Sequence, residues 1–127
     1  MRPLSLLPLL LLAVPAAGLA QAPRTVEVRL TNFDFTPKTI RLQAGQPVTL
    51  RLVNPGNGGH DFSAPQFFAA AQMAAGQNVM MHHPGSIEVP GHQTVTVQLT
   101  PARGTYRLRC THRLHSAFGM HGQIIVG

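Results

Sequence analysis

Residues 105–126 read TYRLRCTHRLHSAFGMHGQIIV, two strand-like segments on either side of a loop rich in metal-binding side chains. In the first segment, Thr105 to Cys110, side chains alternate between the two faces of a strand. Tyr106, Leu108 and Cys110 then share one face and Arg107 and Arg109 the other, so the thiol points inward at the strand's end. The second segment, Gln123 to Val126, is the last apolar run of the chain. Between them, Cys110, His115 and Met120 are each separated by four residues, as C-x4-H-x4-M.

The same alternation extends upstream. Val26, Val28 and Leu30 alternate with Thr, Glu and Arg, and Val48, Leu50 and Leu52 with Thr49 and Arg51. Further strands are expected over Thr39 to Gln43, Ser86 to Val89 and Thr94 to Leu99, with turns at Thr36-Pro37, Ala44-Gly45, Asn54 to Gly59, Pro90-Gly91 and Arg103-Gly104. Short strands at this spacing predict an all-β Greek-key sandwich of about seven or eight strands. One stretch departs from it. Ser63 to Gly76 (SAPQFFAAAQMAAG) predicts a short surface helix capped by Ser63, begun at Pro65 and ended at Gly76, with Phe67 or Phe68 as its core anchor.

The chain opens MRPLSLLPLLLLAVPAAGLAQAPRT, a basic n-region at Arg2, an apolar run from Leu4 to Val14 and small residues after it. This predicts a secretory signal peptide over 1–20, cleaved after Ala20, and one domain over 21–127. Pro8 and Pro15 interrupt the run and it falls short of the roughly 20 residues a spanning helix needs, so no stable membrane insertion is expected. Without Arg2, nine Arg and Lys face four acids, a formal +5 that favours an acidic partner surface. The cations are scattered and aromatics few, which argues against nucleic acid.

Cys110 is the only cysteine, so no internal disulfide is possible. An exported lone thiol survives if it is buried, paired with another chain or occupied by a metal. A copper site that cycles between oxidation states wants a soft thiolate and two imidazoles in a plane, with a weak thioether along the axis. Cys110, His115 and Met120 supply three of those four donors. His60, after a strand and the glycine-rich turn, is the best candidate for the fourth. His112 offers an alternative at C-x-H spacing, but only His115 keeps the spacing to Met120. Zinc is disfavoured because a thioether is a poor ligand for it.

These features resemble the cupredoxins, the blue-copper electron carriers of the plastocyanin, azurin and rusticyanin group. Asn32-Phe33-Asp34-Phe35-Thr36-Pro37, Ala44-Gly45-Gln46-Pro47-Val48 and Asn54 before His60-Asp61-Phe62 are similar to the family's first half. Val89-Pro90-Gly91, Gly104-Thr105-Tyr106 before Cys110 and Gly119-Met120-His121-Gly122 echo the second. The resemblance implies one copper ion with His60, Cys110 and His115 as strong ligands and Met120 as the axial one. It further implies a monomeric periplasmic protein shuttling single electrons between redox partners, and not an enzyme. Catalytic relatives join several such domains. The rival reading is a copper carrier or resistance protein, for which Met80, Met81, His82 and His83 would be a second copper-binding cluster. Arg103, Arg107, Arg109 and Arg113 are candidates for a basic docking patch. Two departures stand out: Asp61 where many relatives have Asn, and Arg113-Leu114 in place of Pro-Gly before the second ligand histidine.

Overall fold

The computed structural model describes residues 12–13, 22–77, 81–113, 115 and 118–127. Apart from Leu12 and Ala13, the leader expected over 1–20 lies outside the described residues. Among the described residues, eleven strands and one short helix follow one another: β1 (Arg24–Thr31), β2 (Asp34–Thr36), β3 (Thr39–Leu42), β4 (Val48–Val53), β5 (His60–Ser63), α1 (Pro65–Ala70), β6 (Gln72–Met73), β7 (Met81–His83), β8 (Ser86–Val89), β9 (Thr94–Thr100), β10 (Gly104–Arg109) and β11 (His121–Val126). No described helix is long and apolar enough to cross a membrane.

The strands form two sheets, in the orders β2-β1-β4-β9-β6 and β3-β11-β10-β5-β8-β7. Pairing is antiparallel except for β1 with β4 and β11 with β3. Strands β2, β3 and β4 alternate between the sheets, the crossing connectivity of a Greek-key sandwich. Inward positions of both sheets meet in one core that includes Val28, Leu30, Leu50 and Leu52 from the first sheet and Ile40, Phe62, Leu108 and Ile124 from the second. Each is at most 1 % exposed, and burying one such side chain contributes roughly 1.5–3 kcal/mol.

Seven of the eleven strands coincide with the alternating segments of the sequence. The other four are short, and β5 is buried on both faces, so it carries no alternation to read. The helix is shorter than the composition implies. Ser63 lies in β5 and does not cap it, Ala64 is the cap residue without a side-chain bond, and the helix ends at Ala70. Pairing stops it: Gln72 and Met73 join Thr100 and Leu99 of β9, and the Ala74 N–H donates to the Gln98 carbonyl (3.0 Å). Sheet hydrogen bonds thus outweigh the helical preference of the alanines. Both Phe67 and Phe68 are buried, and Phe67 packs edge-on against Tyr106 (5.5 Å).

Candidate metal centre

Three loops converge at one end of the sandwich. The first, Asn54 to Gly59, is braced by the Asn54 amide, which is 1 % exposed. Its Nδ2 donates to the carbonyls of Gly58 (2.7 Å) and Val89 (2.9 Å), and its Oδ1 accepts from the Gly56 N–H (3.1 Å). This ties the glycine-rich turn to the end of β8 and sets the chain's entry into β5 at His60. The turn after β8 closes against it: a Cβ on Gly91 would sit 2.1 Å from the Asn57 carbonyl oxygen, so only glycine fits.

His60 opens β5 and is 6 % exposed, a strand residue where the sequence suggested a loop. Cys110 directly follows β10 and is fully buried, as the alternation of that strand predicts. His115 is half-buried in the loop between β10 and β11. The Nδ1 atoms of His60 and His115 lie 3.1 Å apart, Cys110 Sγ is 3.4 Å from His115 Nδ1, and it is 4.0 Å from His60 Nδ1. A point equidistant from three atoms with those separations lies roughly 2.1 Å from each, the length of a metal–imidazole bond. The donor set therefore fits a single ion. Two imidazoles and one thiolate in a trigonal array suit copper. Met120 is fully buried, with its backbone joined to both neighbours: its N–H donates to the His115 carbonyl (3.0 Å) and its carbonyl accepts from the Cys110 N–H (3.2 Å).

Asp61, beside His60, is the hub that joins the donor-bearing segments. Its carboxylate is 3 % exposed. One oxygen accepts from the Thr111 N–H (2.6 Å), and the other accepts from the Ser86 hydroxyl (3.0 Å) and from the Thr111 hydroxyl. The Asp61 N–H in turn faces Cys110 Sγ at 3.5 Å. The residue after His60 and the residue after Cys110 are thus locked together by the Asp61 carboxylate.

Burial pushes the Cys110 thiol up to about 11, against backbone N–H groups of Asp61 and His112 that favour the thiolate. Burial also lowers the His60 pKa, and the neighbouring His115 and His112 add to that effect. The pocket therefore disfavours a bare thiolate and a protonated His60. A bound cation reverses the first preference and uses the second, because metal ligation needs thiolate and neutral imidazole.

His112 stays outside the triangle. Its ring stacks on His115 (5.4 Å between centroids, 28° between planes) and its Nε2 pairs with Glu88 (2.9 Å). Asp61, Glu88 and His112 form a second grouping, whose members are engaged with each other, Ser86 and Thr111. On the other side, Phe33 meets the His115 ring edge-on (5.1 Å) and touches Phe118 (5.5 Å). Phe33 has φ 59°, an uncommon conformation for a bulky residue, which the tight turn from β1 into β2 imposes. Glu88, Ser86 and this role of Phe33 escaped sequence reasoning. Only the pairing of Asp61 with Glu88 across β5 and β8 brings the acid near the site. Met80 and the side chains of Met81 and His82 lie outside the described residues, and His83 is exposed.

Residues 4–126 match the sequence profile of the cupredoxin-like domain. Among solved structures the chain is similar to auracyanin B, at 26% identity and TM-score 0.61 over 86% of this chain and 93% of that one. It is also similar to auracyanin A, described as a "blue" copper protein from the green thermophilic photosynthetic bacterium Chloroflexus aurantiacus, at 22% identity and TM-score 0.60 over 84% and 100%. A multi-copper oxidase from Pediococcus acidilactici shares the fold at 18% identity and TM-score 0.61, over all of this chain and 31% of that one. No curated protein matches the chain.

Proposed function

Because the chain belongs to the cupredoxin-like family, we propose that it is a small blue copper protein that passes single electrons between redox partners. His60, Cys110 and His115 would hold one copper ion, with Met120 as a fourth, weaker donor. The observation that carries this reading is the close triangle of His60 Nδ1, His115 Nδ1 and Cys110 Sγ. When bound, copper supplies the Cu(I)/Cu(II) couple.

The protein's own residues supply the rest. Asp61 holds the segments carrying His60 and Cys110 in one arrangement, so the donors need not move when the charge at the centre changes. The Asp61 N–H aimed at Cys110 Sγ draws electron density from the sulfur and tunes the couple. Burial of Cys110, His60 and Met120 excludes water, while Cys110, at the end of β10, and half-buried His115, beside Phe33, would give the electron two routes. Auracyanin A, described as a "blue" copper protein, supports the copper reading. The oxidase, in which this chain spans 31% of the length, supports a catalytic role only for larger assemblies. Residues 1–20 would direct export to the periplasm, leaving 21–127 as a monomeric domain that meets an acidic partner.

Cu(II) addition to the purified protein, beside Cys110→Ser, tests the centre. An intense absorption near about 600 nm with narrow copper hyperfine splitting, absent from the variant, is expected. A colourless or tetragonal Cu(II) spectrum would overturn the blue-copper reading. Rapid Cu(I) handover to an acceptor, without a stable blue state, would favour copper delivery instead.

A further inference from the structure

The basic charge of the chain is unevenly neutralised. On the first sheet, Glu27 sits between Arg29 (3.7 Å) and Arg51 and so pairs with one cation each of β1 and β4. On the second sheet, the outward face of β3, β11 and β10 has no such partner. Register places Arg107 beside Gln123 and Thr39, Arg109 beside His121, and Thr105 beside Ile125 and Arg41. Arg41, Arg107, Arg109 and His121 are all exposed there, with exposed Lys38 at the edge. The four acids of the chain are elsewhere: Glu27 and Asp34 belong to the first sheet, Asp61 is buried, and Glu88 pairs with His112. None forms an ion pair with a cation of this face among the described residues.

We propose that this face is the docking surface for the acidic surface of a partner protein. The inference rests on the electron-carrier reading and names where its partner binds. Backbone positions two residues apart on one strand stand roughly 7 Å apart, and neighbouring strands about 4.8 Å, so the cationic side chains rise from one array of anchor points held by sheet hydrogen bonds. Planar guanidinium forks match carboxylates in pairs. Arg109 is covalently joined to Cys110, so a partner seated here lies against the strand that ends at the proposed ligand. Among the described residues the face carries none of the exposed large apolar side chains that would anchor it in a lipid surface, since Phe33 and Phe118 cluster at His115 and Leu12 belongs to the expected leader. Of the expected patch, Arg107 and Arg109 belong to this array, whereas Arg103 lies in the turn before β10 and Arg113 in the donor loop.

The test uses the 15N-labelled full chain, with copper bound where it binds, and an acidic flavodoxin as probe at low salt. Backbone shift changes are expected on β3, β11 and β10. Arg107→Gln with Arg109→Gln should weaken binding about tenfold, whereas Arg24→Gln with Arg29→Gln removes the same charge from the first sheet and should change it less than about twofold. With copper present, the second-order rate of one-electron transfer from the flavodoxin hydroquinone should fall in parallel. Equal losses in both double variants, or shifts centred on Phe33 and His115, would overturn the proposal. So would binding to phosphatidylglycerol vesicles through the same arginines with no flavodoxin shift. Mapped shifts on this face with no blue spectrum would leave the docking surface standing and remove the electron-carrier reading.

Discussion

Replacing Asp61 separates the structural work of its carboxylate from its charge. Asp61→Ala removes the acceptor for the Thr111 N–H, the Thr111 hydroxyl and the Ser86 hydroxyl. Hydrogen bonds to a charged group contribute about 1.5–3 kcal/mol each, but the three do not simply add. Thr111 is exposed and its groups regain water, whereas Ser86 is 1 % exposed and its hydroxyl does not. Loss of a buried carboxylate also removes its desolvation cost. The net destabilisation expected is about 3 kcal/mol. Asp61→Asn keeps the volume and one carbonyl acceptor for the Thr111 N–H, and both hydroxyls can turn to accept from the new amide, so it should cost less than about 1 kcal/mol. Urea unfolding of the metal-free proteins measures both. Equal losses within about 0.5 kcal/mol would refute the bridging role. The asparagine variant also removes a negative charge beside His60 that would favour Cu(II) over Cu(I). Its reduction potential should therefore rise, as read in voltammetry. A fall would contradict that account.

Other positions test the frame around the site. Gly91→Ala forces a Cβ onto the backbone of Asn57 and should destabilise by about 2–4 kcal/mol in the same urea assay, with no effect expected if the two turns can separate freely. Asn54→Ala strands two carbonyls and one N–H and should cost about 2–4 kcal/mol. Asn54→Asp should be no better, because it aims an oxygen at the carbonyls of Gly58 and Val89, and recovery in that variant would mean that Asn54 does not donate to those carbonyls. Met120→Leu keeps the buried volume and removes the thioether. The blue absorption should persist and the reduction potential should rise, since a weak donor to Cu(II) is lost; an unchanged potential would assign Met120 to the core alone.

Much of the centre was legible because three of its four proposed donors lie on one short loop. The alternation of Tyr106, Leu108 and Cys110 already aims the thiol inward, and the structure buries it. His60 was legible only as a histidine after a glycine-rich turn. Its burial in β5 was not, because that strand is covered on both faces and shows no period of two. The helix over Ser63 to Gly76 was overread for the opposite reason. Local alanine composition favours helix, but the edge of β9 offers Gln72 and Met73 ladder bonds that a propensity cannot register.

From the sequence alone came the all-β sandwich, the inward thiol and the spacing of Cys110, His115 and Met120, because side-chain alternation and loop spacing are local properties of a chain. Tertiary structure alone decided what lies across from what. Pairing of β5 with β8 brings Ser86 to Asp61 and Glu88 within reach of His112, and the Asp61 carboxylate then reaches Thr111 across 50 residues of chain. The parallel pairing of β11 with β3 gathers Arg41 with Arg107 and Arg109 on one outward face. Register between strands distant in sequence follows from how two half-buried faces close over one core, and no local pattern encodes it.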